Sequence, residues 1–558
     1  MKPLKSITFA ILLLAYATCA AQEIRLDGIK DNFSKKNWLK VSGGVSASGT
    51  CYYTNGTSYN TDKASYFLNG NVNFRICNLV NLPFSIHLTN TGSNYKYPTL
   101  PNRFSLHPSY KWATAHIGDV SMTFSPYTLS GHQFTGAGVE LTPGKFKIAA
   151  MFGRMQRAVE YSPENEMVQA AYKRMGCGAM FGYEADRFRV NTSLFTAQDD
   201  ETSLHWQPDS LGIRPQENLC ANLELSVKVI KNLRLYGEYA ISLIKPDTRA
   251  DSLSSIRHYN AYKVGVDYTF LKNTIGISYE RIDPDYQTLG AYYFNNDMEN
   301  ITVNFATVLF KDKLNFSVNV GLQNDDVKNQ KESKTHNFVG SANITYTPCQ
   351  KLSLSASYTN FQTHENIKSQ FDYINQYAPT ENLDTLNFTQ LSHNANLSIM
   401  WNIKQSDSQN QNLNVNVSYQ IADDKYGSTQ TPDTRSVFTN SSVSHTVSFV
   451  PSKTNLTSSV NFTQNNITDN NTYTVGPTMS VSTKFAKETL TLSASLSYNI
   501  ALADKEIERN IANSRLGISY ILAKKHTFAL AGICQYQDRK EKSGTCNANA
   551  TLSYNYNF

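Results

Sequence analysis

Apolar and polar residues alternate with a period of two from about residue 39 to the end of the chain, the spacing that sends successive side chains to opposite faces of a β-strand. Leu490, Leu492, Ala494, Leu496, Tyr498 and Ile500 share one face of such a strand, and Thr491, Ser493, Ser495, Ser497 and Asn499 share the other. The same division separates Leu352, Leu354, Ala356 and Tyr358 from Ser353, Ser355 and Ser357. It recurs in Leu413, Val415, Val417 and Tyr419 against Asn414, Asn416 and Ser418, and in Val264, Val266, Tyr268 and Phe270 against Lys263, Gly265, Asp267 and Thr269. A soluble sandwich or a solenoid would also alternate, so the connections discriminate. Very short turns (Pro143-Gly144, Lys231-Asn232, Lys272-Asn273, Lys311-Asp312, Lys524-Lys525) alternate with longer polar stretches at 199–215, 285–297, 365–383 and 425–434. That layout predicts an all-β fold: a single large transmembrane antiparallel β-barrel with turns at one rim and loops at the other. No fixed-length repeat of a solenoid or propeller is visible.

The chain terminates in Ala548, Ala550, Leu552, Tyr554, Tyr556 and Phe558, alternating with Asn549, Thr551, Ser553, Asn555 and Asn557. This segment resembles the closing strand of bacterial outer-membrane β-barrels, which ends in Phe. The resemblance implies residence in outer-membrane lipid, recognition of the last strand by the barrel-assembly machinery, periplasmic turns and extracellular loops. It also implies two periplasmic termini and hence an even strand number. Working back from Phe558, the run 133–142 must descend toward the turn rim. That requires a short descending strand at 102–107 and an ascending one at 110–121. The count becomes 26, with 24 as the alternative, and 39–53 is the first strand, paired with the last so that no edge stays open. Ser109-Tyr110-Lys111-Trp112, Gly118-Asp119, Phe124-Ser125-Pro126-Tyr127 and Gly136-Ala137-Gly138-Val139-Glu140 resemble porin-like barrels of Bacteroidota over the first third of the chain. That resemblance assigns no role to any residue.

Before the barrel, Lys2 and Lys5 precede an apolar run from Ile7 to Ala17 and the small residues Cys19-Ala20-Ala21, as in a secretory signal peptide. The expected division is therefore 1–21 signal peptide, 22–38 a short periplasmic segment, and 39–558 the barrel. Beyond residue 21 no stretch approaches the ~18 apolar residues of a membrane-spanning helix. Hydrophobic residues make up 40% and charged residues 17% of the chain, leaving a large share of Asn, Ser, Thr and Gln that suits neither an α/β core nor a charged disordered tail. The net charge of +6 is too small for a nucleic-acid-binding chain of this length. Seven cysteines outside the leader, at 51, 77, 177, 220, 349, 534 and 546, have no metal-finger spacing. This odd, dispersed set reads mainly as small side chains on strands, with a Cys534–Cys546 bridge across the last loop as the alternative in an oxidising compartment.

If the apolar face meets lipid, the other face lines the lumen, and its chemistry is uneven. Between residues 114 and 280 the inward candidates are His116, Glu140, Arg174, Arg189, Glu224, Lys228, Arg234, Glu238, Lys263, Asp267 and Glu280. Beyond residue 310 inward positions are mostly Ser, Thr, Asn and Gln. The charged arc is either a selectivity surface or a set of wall pairs that keep the lumen wet. Inward glycines at 118, 136, 138, 153, 176, 178 and 182 mark close approach of another backbone or relief of bending. The short uncharged stretch Ser125-Pro126-Tyr127-Thr128-Leu129-Ser130-Gly131 is the candidate constriction, folded inward against that glycine wall.

Catalysis has little support: the histidines lie singly, without HExxH or GxSxG, and His116 with Ser125 is the sole nucleophile–base pairing to consider. Acidic groups at Asp199-Asp200-Glu201, Asp283 and Asp285, Asn295 to Glu299, and Asp325-Asp326 could hold Ca²⁺ but lack EF-hand spacing, and read as solvated loop charge. No catalytic residue, metal or cofactor is expected. The expected function is a porin-like channel or transport barrel for small hydrophilic solutes. The alternative is a barrel plugged by its own loops or by a partner, serving as receptor, adhesin or secretion component. No amino-terminal plug domain fits before residue 39, so a barrel this wide needs some other means of closure.

Overall fold

The computed structural model describes residues 38–55, 63–90, 102–161, 170–205, 212–250, 256–292, 294–325, 327–328, 336–360, 391–422, 425–426, 429–430, 435–467, 470–503, 506–539 and 542–558. The expected signal peptide and the 365–383 loop lie outside these residues.

Strand Leu39–Thr54 pairs on one side with Ala64–Ile76 and on the other with the terminal strand Lys542–Asn557, in register from Gly44↔Asn557 to Thr54↔Asn547. Closure of first on last satisfies the backbone groups that an open sheet would leave unpaired. All strand pairings around the ring are antiparallel, and 27 strand segments fill 26 positions. Two segments, Arg103–Leu106 and Ser109–Tyr110, share the position between Val80–Thr89 and Ala113–Thr123. The short descending strand expected at 102–107 is therefore interrupted at His107-Pro108, where proline brings no N–H to the ladder. It continues to Tyr110, so the ascending strand begins at Ala113 instead of residue 110.

The twelve connections at the rim that holds both strand termini are short. Several close through left-handed residues, including Leu271 (φ 53°), Phe310 (φ 54°) and Lys524 (φ 62°). The opposite rim carries thirteen connections of unequal length. Up to residue 435 they are mostly long. By contrast Thr454–Ile467 and Asn470–Phe485, Leu490–Ala503 and Glu506–Leu522, and His526–Arg539 and Lys542–Asn557 are each separated by only two residues. The long-loop expectation thus holds for the earlier part of the ring only.

Large apolar side chains stand exposed on the outer face: Leu223, Leu225 and Val227 on one strand, Ile275 and Ile277 on another, Leu496 and Tyr498 on a third. Buried residues lie on the inner face, concentrated between residues 120 and 300. No described helix is long and apolar enough to cross a membrane. A 3₁₀ turn, Glu201–Ser203, is capped by Asp200, and a detached hairpin pairs Lys425–Tyr426 with Thr429–Gln430. Cys534 and Cys546 face each other across the last hairpin as thiols, with their sulfurs 3.8 Å apart.

Candidate functional site

Glycines align across neighbouring strands on one part of the inner wall. Register places Gly118 opposite Gly136, Gly136 opposite Gly153, and Gly153 opposite Gly176. Gly138 and Gly178 flank Met151 in the next row. A β-carbon on Gly153 would come 2.7 Å from the Phe134 ring, and one on Gly178 2.9 Å from the Phe124 ring. On Gly138 it would collide with the Met122 sulfur, and on Gly176 with Met155. The glycines are seats on which Phe134, Phe124, Met122 and Met155 lie flat. Together with Val120, Met151, Met180, Phe195 and Leu289 these side chains form an apolar core inside the barrel.

That core holds the segment 124–131. Thr123 and Ser130 remain paired as the strands end, the Phe124 N–H donates to the Leu129 carbonyl (2.8 Å), and the Thr128 N–H donates to that of Ser125 (3.2 Å). The resulting tight turn leaves Pro126 and Gly131 exposed, while Tyr127 and Leu129 are buried, Leu129 completely. Its polar groups are spoken for by the wall. The Ser125 hydroxyl donates to Glu238, the Tyr127 hydroxyl to Glu280 (2.5 Å), and the Thr128 hydroxyl lies 2.9 Å from that of Ser193. The Tyr127 N–H donates to the Ser125 oxygen at 3.1 Å.

A second segment, 283–297, folds against the first. Leu129 and Gly290 form a parallel bridge, and the Ser130 N–H donates to the Gly290 carbonyl (3.0 Å). The Tyr286 hydroxyl donates to the Tyr127 carbonyl (2.8 Å), and the Thr288 hydroxyl to that of Thr128 (2.5 Å). The wall receives this segment through Ser242, whose hydroxyl donates to the Gln287 carbonyl (2.6 Å), and Asn218, whose side-chain oxygen accepts from the Leu289 N–H (3.1 Å). Tyr127, Tyr286 and Phe294 pack with Ile244, Tyr259 and Ile282 into a second apolar cluster. Burial pushes the Tyr127 and Tyr286 phenols well above their ordinary range, and Glu280 beside Tyr127 adds to the shift, so both stay neutral donors. The sequence reading took 285–297 for a polar loop and missed this docking. The available signal was Tyr286, Leu289 and Phe294 within it, and the lapse of alternation where Val120, Met122, Met151, Met155 and Phe195 put apolar groups on the inner face too.

The charged candidates come together as cross-strand pairs. Arg174 holds Asp199 through two bonds of 2.7 and 2.9 Å, Arg189 holds Glu224, and Arg234 holds Asp267. Lys263 lies 3.6 Å from Glu280, and His116 3.9 Å from Glu140. Arg174–Asp199, Arg234–Asp267 and Lys263–Glu280 are direct register partners, so the alternation that aims both inward also brings them together. Glu238 accepts from Asn222 (2.7 Å) as well as Ser125. Lys228 sits opposite Arg234 beside a register shift near the turn rim. Asp199 is thus an ion-pair partner, Asp283 accepts from Asn260, and Asp200 caps its 3₁₀ turn. His116 faces His107, with ring nitrogens 2.8 Å apart, and Ser125 is engaged by Glu238, so the two are committed to different partners.

The other arc is uncharged in long rows. One row runs Asn343, Ser357, Asn396, Ser418, Asn440, Thr463 and Thr474 across seven strands, each residue the register partner of the next. Arg509 and Arg515 interrupt this chemistry, opposite Ala501 and Ser495.

No known family model matches the chain, and no curated protein matches it in sequence. Among solved structures it is similar to a substituted form of the Rh. blastica porin (12% identity, 54% of this chain and 98% of that one, TM-score 0.26). It is similar also to a substituted OccD1 (OprD) (10%, 75% and 97%, TM-score 0.33) and to the FrpB iron transporter from Neisseria meningitidis (11%, 95% and 83%, TM-score 0.36). All three are remote similarities.

Proposed function

We propose that this chain is a bacterial outer-membrane channel for small hydrophilic solutes, its bore narrowed by segments 124–131 and 283–297 held against one arc of the inner wall. The closed ring with an apolar outer face supports a membrane setting, since every backbone group in hydrocarbon must be satisfied internally. One observation carries the constriction: Tyr127 and Leu129, from a loop connection, are buried against wall residues contributed by strands as distant as Ser130–Leu141 and Asn273–Ile282. The inner wall left beside them presents hydroxyls and amides, which replace part of a solute's hydration without selecting a charge. The paired charges on the constricted arc largely cancel, and two of the wall carboxylates, Glu238 and Glu280, act as acceptors that hold segment 124–131.

Planar-bilayer recordings and liposome swelling with sugars of graded size test this reading. Replacing residues 125–130 with a short glycine linker is expected to raise single-channel conductance and the size limit for uptake. Unchanged conductance would remove segment 124–131 from the pathway. An impermeable barrel that co-purifies with a partner would favour the plugged receptor or secretion role.

A further inference from the structure

The two rims differ in chemistry in a way that channel conduction does not use. Ten of the twelve short turns contain a Lys or Arg, and the turns together hold twelve basic against four acidic residues, a net of +8. The whole chain carries only +6, so the excess of positive charge is gathered at this one rim. Three of the four acids are already occupied by neighbouring bases: Asp186 by Lys145, Asp312 by Lys272 and Glu488 by Lys453. The remaining cations include Lys231, Lys311, Lys351, Lys487 and Lys524, all exposed.

What distinguishes this ring from an ordinary solvated charge belt is what stands beside the lysines. Leu271, next to Lys272, is 95% exposed, and Phe310, next to Lys311, is 67% exposed, each held at the turn tip in left-handed backbone. Ile230 precedes Lys231, Phe485 precedes Lys487 by two residues, and Leu522 precedes Lys524 by two, all exposed. An apolar tip beside a long cationic side chain suits a boundary where acyl chains give way to headgroups: the apolar group enters the hydrocarbon and the lysine reaches up to a phosphate.

From this pairing we infer that the turn rim is a binding surface for anionic phospholipid headgroups in the facing leaflet, with the lysines as phosphate partners and the apolar tips as anchors. The inference rests on the membrane reading above and is independent of whether the bore conducts. A soluble acidic protein would account for the cations but would leave Leu271 and Phe310 in water.

The test uses the full chain inserted in bilayers of equal parts phosphatidylglycerol and phosphatidylcholine, extracted gently, with retained lipid counted by native mass spectrometry. Phosphatidylglycerol should be retained over phosphatidylcholine by about fivefold or more, and the preference should fall in high salt. The combined variant Lys231→Gln, Lys311→Gln, Lys351→Gln, Lys487→Gln and Lys524→Gln should retain both lipids about equally while keeping the folded barrel's heat-modifiable gel mobility. Leu271→Ser with Phe310→Ser should reduce total retained lipid with the lysines intact. Equal retention by the unaltered chain, or a preference unchanged in the lysine variant, overturns the inference alone. Capture of soluble heparin without any lipid preference also overturns it, in favour of an acidic macromolecule. A chain that inserts into neither bilayer overturns it together with the membrane reading.

Discussion

Leu129 is the completely buried apolar residue of segment 124–131, and Leu129→Ala tests whether that burial docks the segment as the proposed constriction requires. Its side chain is completely buried between Phe195, Leu289 and the methionines of the inner core, yet it lies in a connection and not in a barrel strand. The substitution removes three buried carbons while leaving every wall pairing intact. Truncations of this kind cost about 2–5 kcal/mol, depending on how far the surroundings collapse into the space. Because strand pairing does not rely on Leu129, the cost falls on local docking of segment 124–131 and not on the ring. At about 1.4 kcal/mol per factor of ten, the undocked population should rise by roughly 30-fold to 3,000-fold. Hydrogen exchange reads this directly, since the amides of Phe124, Thr128 and Ser130 are all bonded in the docked form. Their protection should drop by that factor while amides in strand Leu490–Ala503 stay unchanged, and channel recordings should show larger or noisier openings. Unaltered protection across 124–130 would refute the reasoning, and so would an equal loss everywhere, because either result means the segment is not a separately docked unit.

Other substitutions probe different parts of the same structure. Gly178→Val should displace the Phe124 ring from its seat at a cost of about 1–3 kcal/mol, seen as faster exchange at 124–131. Arg174→Ala should destabilise the barrel by about 3–5 kcal/mol in denaturant titrations, because Asp199 is 3% exposed and would lose its bidentate partner. Adding Asp199→Asn should recover much of that loss by removing the unpaired charge. Leu496→Arg, on the outer face and 63% exposed, should cost about 2–4 kcal/mol in lipid, whereas Ser495→Glu, one residue away on the inner face and opposite Arg515, should cost little. Equal effects at 495 and 496 in bilayer refolding would invalidate the assignment of faces.

The period-two pattern by itself determined the fold class, because each strand states its two faces locally. The count of 26, with 24 as the alternative, and the pairing of first strand with last also needed the parity that the resemblance of the final strand implies, and the closed ring has 26 positions. Alternation also put the charged candidates on one face of their strands, since it fixes which face a side chain takes. Which charges meet was not legible: Arg234 finds Asp267 only because the register of two hairpins sets them opposite, and register depends on where each turn closes. The apolar core inside the barrel was decided wholly by tertiary structure. Met122, Phe134 and Phe195 read locally as lapses in alternation, and Tyr286 and Leu289 as oddities in a polar loop. They gather into two clusters, the first of them seated on the row of glycines, only when the closed wall brings together strands and connections more than a hundred residues apart. Burial of those side chains away from water is what draws the connections inward, and no single segment contains enough of the cluster to announce it.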